Sequence, residues 1–478
     1  MGFPSSIQHF AAAAVAVFFL SACAGEKGEQ TKSSREDGVV LIPENWRNRP
    51  ANSIIVAETN PAITTAWWTR FKDPLLNDLI VTALKDSPDV RTALSRIAES
   101  RARSGIDFAG LLPSLSGRVG VRDEYYRDRR ANRSSNGGFY TAGLDASWEI
   151  DIWGKLYARY KAADAEVAQS IEEYRDVQVS LAAEVAIAYV TLRANEAQLG
   201  DSSDVIKALR EELELARARE NIGTRDAFDT GHARVQLEQE LAGLQQVERD
   251  VAQSRIRLAL LLGRTPGSID NVLATGRGVP QVPAQFALAI PADTLRQRPD
   301  VRAAERAVEA ASLRATSAGR ELLPSLNISG SIGIEALKAG DIFSPRATIG
   351  SLLAGLTLPL FEGGRIRQNI AIQDEIHKQA LIRYEATLLN ALGEVENALV
   401  SVQRAESRLR DLSSAANAAI EVSRLADSQR NVGLKDFSQI LNDKLLYLRL
   451  REQNTVVGAE RALAHIQLYK VLGGGWVK

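Results

Sequence analysis

A chain of 478 residues and 52.0 kDa is long enough to bury a sizeable core, about three domains' worth at roughly 150 residues each. Its 58 Lys and Arg against 59 Asp and Glu leave a net charge of −1, which removes the basic excess that phosphate backbones require and excludes nucleic acid as a partner. One cysteine and four histidines, none closely spaced, exclude a disulfide framework and a zinc motif, and no apolar run approaches the roughly 18 residues of a spanning helix, so any membrane passage must use strands.

The apolar run Phe10 to Leu20 is followed by Leu20-Ser21-Ala22-Cys23-Ala24-Gly25. It reads as a signal peptide over 1–22, with the only cysteine where cleavage would fall. The stretch resembles a bacterial lipobox, which implies acylation of Cys23 as the mature N-terminus; it departs from the pattern in having no Lys or Arg ahead of the run. The absence of Asp at position 24 implies sorting to the outer membrane in the lipoproteins it resembles. Residues 23–66 are rich in charge, Ser, Asn and Pro and read as a lipidated, mobile tether.

From Trp67 onward the chain repeats itself. Pro88-Asp89-Val90-Arg91 returns as Pro299-Asp300-Val301-Arg302, and Leu111-Leu112-Pro113-Ser114-Leu115 as Leu322-Leu323-Pro324-Ser325-Leu326. Asn221-Ile222-Gly223 returns as Asn431-Val432-Gly433, and Leu262-Gly263 as Leu472-Gly473. Ordered blocks at constant spacing define two copies of one unit, over 67–263 and 295–478, with a linker over 264–294. In the first copy, period-two alternation predicts strands over about 115–122 and 139–150, around a polar loop from Asp123 to Gly138. Tyr140, Ala142, Leu144, Ala146 and Trp148 face one way; Thr141, Gly143, Asp145, Ser147 and Glu149 face the other. The second copy predicts strands over about 326–335 and 349–361. Such strands fit a soluble sheet packed on helices or an aqueous barrel with its apolar side toward lipid. A protomer's four strands would leave open edges in hydrocarbon, whereas three protomers would supply twelve strands for closure.

Proline-free stretches predict long helices over about 155–221 and 365–431, with return helices over about 226–262 and 436–472. Leu181, Val185, Ala188 and Leu192 step by three and four, as do Ile206, Leu209 and Leu213 later in the same helix and Val395, Ala398, Val402, Ala405, Leu409, Leu412 and Ala416 in its counterpart. At 1.5 Å per residue each long helix reaches about 100 Å. This length suits a conduit wall, and the helices alone also fit a coiled-coil rod.

Together these residues resemble the TolC/NodT-like outer-membrane factor family of tripartite efflux systems. The resemblance is carried by Trp67-Trp68-x-x-Phe71-x-Asp73-Pro74, Trp148-Glu149-Ile150-Asp151-Ile152-Trp153-Gly154, Arg298-Pro299-Asp300-Val301-Arg302, Pro359-Leu360-Phe361-Glu362-Gly363-Gly364-Arg365 and Leu472-Gly473-Gly474-Gly475-Trp476. It implies a mainly α chain with a β-barrel part. The implied homotrimer has a twelve-stranded barrel in the outer membrane and long helical hairpins forming a periplasmic tunnel. The implied partners are outer-membrane lipid, a periplasmic adaptor protein and an inner-membrane transporter of the resistance-nodulation type, with the chain as a passive exit duct. The exit channel of a type I protein secretion system and a pore-free, lipid-tethered periplasmic scaffold are the alternative readings.

The resemblance places the hairpin tips at the two Gly turns, with Gly223, Asp226, Gly433 and Asp436 as adaptor-contact candidates and Arg225, Asp229, Lys435 and Asp443 as aperture candidates. Threefold symmetry would turn each inward carboxylate into a ring that draws cations. Capping is the competing role: Gly ends one helix and Asp starts the next. Some family members carry Asp where this chain has Asn442, with the acid here at Asp443. Gly154, Gly363 and Gly364 sit where strands turn into helices and are expected to bend the backbone. Glu172-Glu173 and Glu211-Glu212 read as solvated charges, and His232 as a surface histidine. No catalytic set, metal site or cofactor motif emerges beyond a covalent lipid at Cys23. With Met1 as the only methionine, no thioether copper path exists. Cys23→Ser should abolish incorporation of radiolabelled palmitate; label retained in that variant would contradict lipidation at this residue.

Overall fold

The computed structural model describes residues 42–49, 53–55, 66–128, 133–224, 226–275, 278–283, 286–288, 291–336, 344, 348–431 and 437–476. A short strand β1 (Ser53–Ile55) and a 3-10 turn over Trp67–Phe71 come first. The first repeat runs α1 (Pro74–Asp86), α2 (Pro88–Ala109), β2 (Ser114–Asp128), β3 (Arg133–Ile150), α3 (Lys155–Asn221) and α4 (Ala227–Leu261). Between repeats lie α5 (Asp270–Leu273), β4 (Phe286–Leu288) and α6 (Pro291–Gln297). The second repeat runs α7 (Pro299–Gly319), a 3-10 turn Arg320–Leu322, β5 (Ser325–Ala336), β6 (Thr348–Thr357), α8 (Arg365–Asn431) and α9 (Phe437–Val471). The long helices α3 and α8 each have 67 residues and the return helices α4 and α9 each have 35.

Local chemistry sets the helix ends. Asp73 caps α1, its Oδ1 accepting from Leu76 N at 3.1 Å, with Pro74 at the first helical position. Ser87 Oγ caps α2, accepting from Asp89 N at 3.3 Å ahead of Pro88. Gly154, at φ 72°, admits α3 by taking a left-handed conformation that its neighbours could not share cheaply. A Cβ there would also stand 2.9 Å from Arg320 Nη1, and that guanidinium donates to Gly154 O at 2.7 Å.

β2, β3, β5 and β6 form one antiparallel sheet in that order. The helices form a layer in the same sense: α2 packs on α3, α3 on α7, and α7 on α8, while α4 returns along α3 and α9 lies against both α8 and α3. Heptad residues Leu181, Val185, Ala188 and Leu192 are buried together with Val395, Ala398 and Val402. Trp67 stacks on Tyr469 with ring centroids 5.3 Å apart and meets Phe71 edge-on at 5.8 Å, which ties the start of the first repeat to the end of the second. The most apolar stretch of α3 is 67% buried inside the protein, so its hydropathy serves this core.

Several expectations are corrected. β2 and β3 run on to Asp128 and back from Arg133, well into the expected Asp123–Gly138 loop, because backbone pairing continues where side-chain alternation fades. β6 stops at Thr357 rather than near 361: Thr357 pairs with Ser325, the first residue of β5, and no ladder partner lies beyond. The tether is docked in part. Trp46 is buried in the main core, Glu396 accepts from Arg47 N at 2.7 Å and from Asn48 Nδ2 at 2.8 Å, and β1 pairs in parallel with β4 inside the linker. An indole gains more from a core than from water, and a carboxylate on α8 satisfies the strap's donors.

Glu172 is also not a solvated charge. It is buried on α3 and accepts from Arg175 at 2.6 Å and from Arg302 of α7 at 2.8 Å, clamping one repeat to the other. Removing one member of a buried pair strands the rest, although Arg302 is 36% exposed and water softens the loss. Glu172→Gln should lower unfolding stability by about 2 kcal/mol, with a coupling to Arg302→Ala of about 1 kcal/mol in a double-mutant cycle by denaturant melting. Additive effects would show that the contact does not join the repeats.

Candidate functional site

The sheet is two-faced across β2, β3 and β5, and β6 continues the apolar face while adding Ile349 and Leu353 to the otherwise polar one. The register sets Val119 opposite Ala142, Ala142 opposite Ile334, and Ile334 opposite Thr348. On the same face lie Leu115, Leu144, Ile332, Leu352 and Leu356, all exposed. The other face carries Ser116, Asp145, Ser331 and Ser351 in one cross-strand row. Arg118 pairs with Asp145 at 2.8 Å, and Ser331 Oγ meets Ser351 Oγ at 2.7 Å. Water offers no reason to expose an apolar wall opposite a polar one, whereas a barrel with lipid outside and solution inside requires it. Gly143 and Gly333 meet on the polar face, where a Cβ on Gly333 would stand 2.7 Å from Ala142 O, so β3 and β5 approach closely there.

The sheet hands over to the helices through fixed joints. Trp153 Nε1 donates to Pro324 O at 2.6 Å across the repeats, and Lys155 pairs with Glu149 at 2.5 Å. Gly363 and Gly364 repeat the role of Gly154 at φ 59° and 88°. Arg298, nearly buried, donates to Val471 O at 2.9 Å, to Asp300 at 2.7 Å and to Glu394 at 2.7 Å, binding the start of α7 to α8 and α9. Its repeat counterpart is Ser87, so the arginine marks where the two copies diverged.

At the first hairpin tip, Gly223 at φ 71° ends α3. Thr224 N donates to Arg219 O at 3.0 Å and Gly223 N to Glu220 O at 3.0 Å, a Schellman stop. Asp226 Oδ1 then caps α4, accepting from Phe228 N at 3.1 Å and Asp229 N at 3.3 Å. Gly223 and Asp226 therefore act as caps. Asp229 lies one turn in and is half-buried. With Glu212, Arg219, His232 and Asn442 it lines a cavity of about 230 Å³ where α3, α4 and α9 meet. Asp443, half-buried on α9, is not among the residues lining it. Arg225, Gly433, Lys435 and Asp436 lie outside the described residues. His232 is exposed, as expected, with Gln236 at 3.3 Å.

Glu212 corrects the reading of Glu211-Glu212 as plain surface charge. It is half-buried, and burial pushes its carboxyl above the usual range, with Arg449 and His232 only partly offsetting this. The signal was absent from local sequence because Arg449 and His232 come from other helices. Nearby, burial and Glu452 push the Glu240 carboxyl up in the same way.

Long paired hairpins carrying a four-stranded, two-faced sheet define the protomer of an outer-membrane channel. The comparisons agree. The outer membrane efflux protein profile matches residues 79–264 and 290–474, and the chain belongs to the outer membrane efflux protein family. The toluene efflux pump outer membrane protein TtgF of Pseudomonas putida is 28% identical over 417 residues, covering 86% of this chain and 85% of its own. Nodulation protein T of Rhizobium leguminosarum bv. trifolii is 28% identical over 393 residues, 81% of this chain and 82% of its own. The solved outer-membrane channel OprN superposes with a TM-score of 0.80 at 25% identity, over 91% of this chain and 99% of that one.

The raised Glu212 carboxyl has a signed consequence. The folded state holds this proton more tightly than the unfolded state, so ionised Glu212 costs stability above its folded pKa, and the cost fades as pH falls through that value. Glu212→Gln should therefore melt higher than the parent at neutral pH, with a gap that narrows on acidification. A gap that widens in acid would contradict the burial argument.

Proposed function

We propose that the chain is the passive outer-membrane exit duct of a tripartite efflux pump. Three copies pool their sheets into a twelve-stranded barrel, continuous with a periplasmic tunnel built from α3, α4, α8 and α9. The single observation behind this reading is the open-edged sheet with one lipid-compatible face and one polar face. An adaptor at the hairpin tips and an inner-membrane transporter of the resistance-nodulation type complete the conduit and supply the energy. The duct itself performs no chemistry. The names of its relatives support efflux over protein secretion. A lipid on Cys23 anchors the N-terminus to the outer membrane.

Asp229 and Asp443 supply the inward carboxylates of the closed tip, where threefold repetition would concentrate negative charge and favour cations. Purified protein in planar lipid bilayers should give discrete, cation-preferring conductance steps. Asp229→Ala combined with Asp443→Ala should raise unit conductance and weaken the cation preference; unchanged values would leave both acids a purely structural role. Absence of any conductance from oligomeric protein would refute the duct.

A further inference from the structure

The helical wall buries two separate hydrophobic cores. The main core takes Leu181 to Leu192 from α3, Val251 and Leu258 from α4, and Ala459 to Tyr469 from α9. The tip core takes Val205 to Leu213 from α3, Ala233 and Leu237 from α4, and Leu441, Leu445 and Leu448 from α9. Between them α3 carries Gln198 and Ser202 and α9 carries Glu452, and Glu240 of α4 reaches the same spot. A polar layer therefore divides the part of the wall near the tips from the part above it, and a core interrupted in this way moves more easily than a continuous one.

The hydrogen bonds of this layer call for an extra proton. Glu452 Oε1 accepts from Gln198 Nε2 at 3.1 Å and from Ser202 Oγ at 3.3 Å. The Glu240 carboxyl faces the same hydroxyl and the same Glu452. A serine hydroxyl has one proton, so Ser202 serves one carboxylate and meets the other only as an acceptor. The set closes when Glu240 is protonated and donates to Ser202 Oγ, which donates on to Glu452. Nearby cations do not take the place of that proton. Arg449 of α9 is exposed and acts on Glu240 and Glu212 together, and Arg451 is held by Asp201 at 2.8 Å and Asp204 at 2.5 Å. Burial and the Glu452 charge accordingly hold the Glu240 carboxyl above the usual carboxylate range.

We propose that Glu240, Ser202 and Glu452 form a proton-dependent latch across α3, α4 and α9 that sets how freely the hairpin tip moves against the main core. With Glu240 protonated, one hydroxyl and two carboxyls bridge the three helices and hold the tip. When Glu240 gives its proton to solvent, two half-buried carboxylates compete for one hydroxyl and repel each other, and α4 loosens from α9. Helix stiffness is lowered in the same stretch. A Cβ on Gly200 of α3 or Gly458 of α9 would meet nothing within 4 Å, so packing does not require glycine at either place, and each bends its helix more readily than alanine would. The sign follows from the raised carboxyl: the folded chain binds this proton more tightly than the unfolded one, so the latch holds fully at acid pH and is lost as pH rises through the folded value. The latch rests on helix packing alone; its bearing on solute flow rests on the exit-duct reading.

Amide exchange of the full-length protein, normalised to the intrinsic rate at each pH, tests the two separately. From about pH 5 to about pH 8, amides around Leu237 of α4 and Leu445 of α9 should lose protection about tenfold, while those around Val185 of α3 keep theirs. Glu240→Gln cannot ionise and should hold the tip at its acid level of protection throughout. Glu452→Gln removes the like charge and should flatten the profile as well. Glu212→Gln should keep the step and move it to lower pH, because Arg449 is then left to Glu240. Gly200→Ala with Gly458→Ala, which favours the helices, should shrink the step. A parent without the step, a step that survives in both Glu240→Gln and Glu452→Gln, or one that Glu212→Gln alone removes overturns the latch. Conductance in planar bilayers that changes over the same pH range in the parent and stays flat in Glu240→Gln ties the latch to flow. The step in exchange from protein that never conducts would refute the duct and leave the latch standing.

Discussion

Unpaired backbone is the constraint on which this molecule turns. A four-stranded sheet has two edges, here β2 and β6, and each edge presents a row of N–H and C=O groups. In water such groups are solvated, but in hydrocarbon each one left without a partner costs several kcal/mol. The apolar face of the sheet needs hydrocarbon, and the edges cannot tolerate it. Only closure resolves the conflict, and a single chain has too few strands to close. The remaining architecture, including the helical hairpins and the two repeats, is consistent with that requirement.

Duplication gives an economical answer. Two copies of one strand–helix unit provide a sheet and a helix layer that run in the same order, β3 meeting β5 as α3 meets α7. The repeats have not remained identical. Arg298 stands where the first copy has Ser87, and Glu172 stands where the second has Ile382. Arg298 gathers Val471 O, Asp300 and Glu394 and so ties α7 to α8 and α9 within the second repeat, whereas Glu172 gathers Arg175 of its own repeat and Arg302 of the other and so ties repeat to repeat.

Much of the architecture was legible in the residues. The long helices were bounded correctly because proline-free heptads ended in Gly223 and began after Gly154, whose positive φ angles leave few other options. The two-faced strands were visible as alternation. What was not legible depended on distance along the chain. Glu172 looks like any helical surface acid until Arg302 arrives from the other repeat. Glu212 looks solvated until α4 and α9 close over it. Trp46 sits in a stretch whose composition argues for a mobile tether, and only the three-dimensional core shows it as an anchor. Strand lengths were underestimated because backbone pairing from Asp123 to Asp128 outlasts the alternation that revealed the strands. The tip acids remained ambiguous for a different reason: capping and gating draw on the same residue types, and among the described tip acids the geometry assigns capping to Asp226.

Amide hydrogen exchange of the full-length protein in lipid nanodiscs tests the closure directly, because it reads the backbone groups on which the account depends. The account predicts that the outward edges of β2 and β6 exchange as slowly as the interior strands β3 and β5. Fast exchange along both edges, with the interior strands protected, would mean that the sheet stays open in the membrane and would contradict the account.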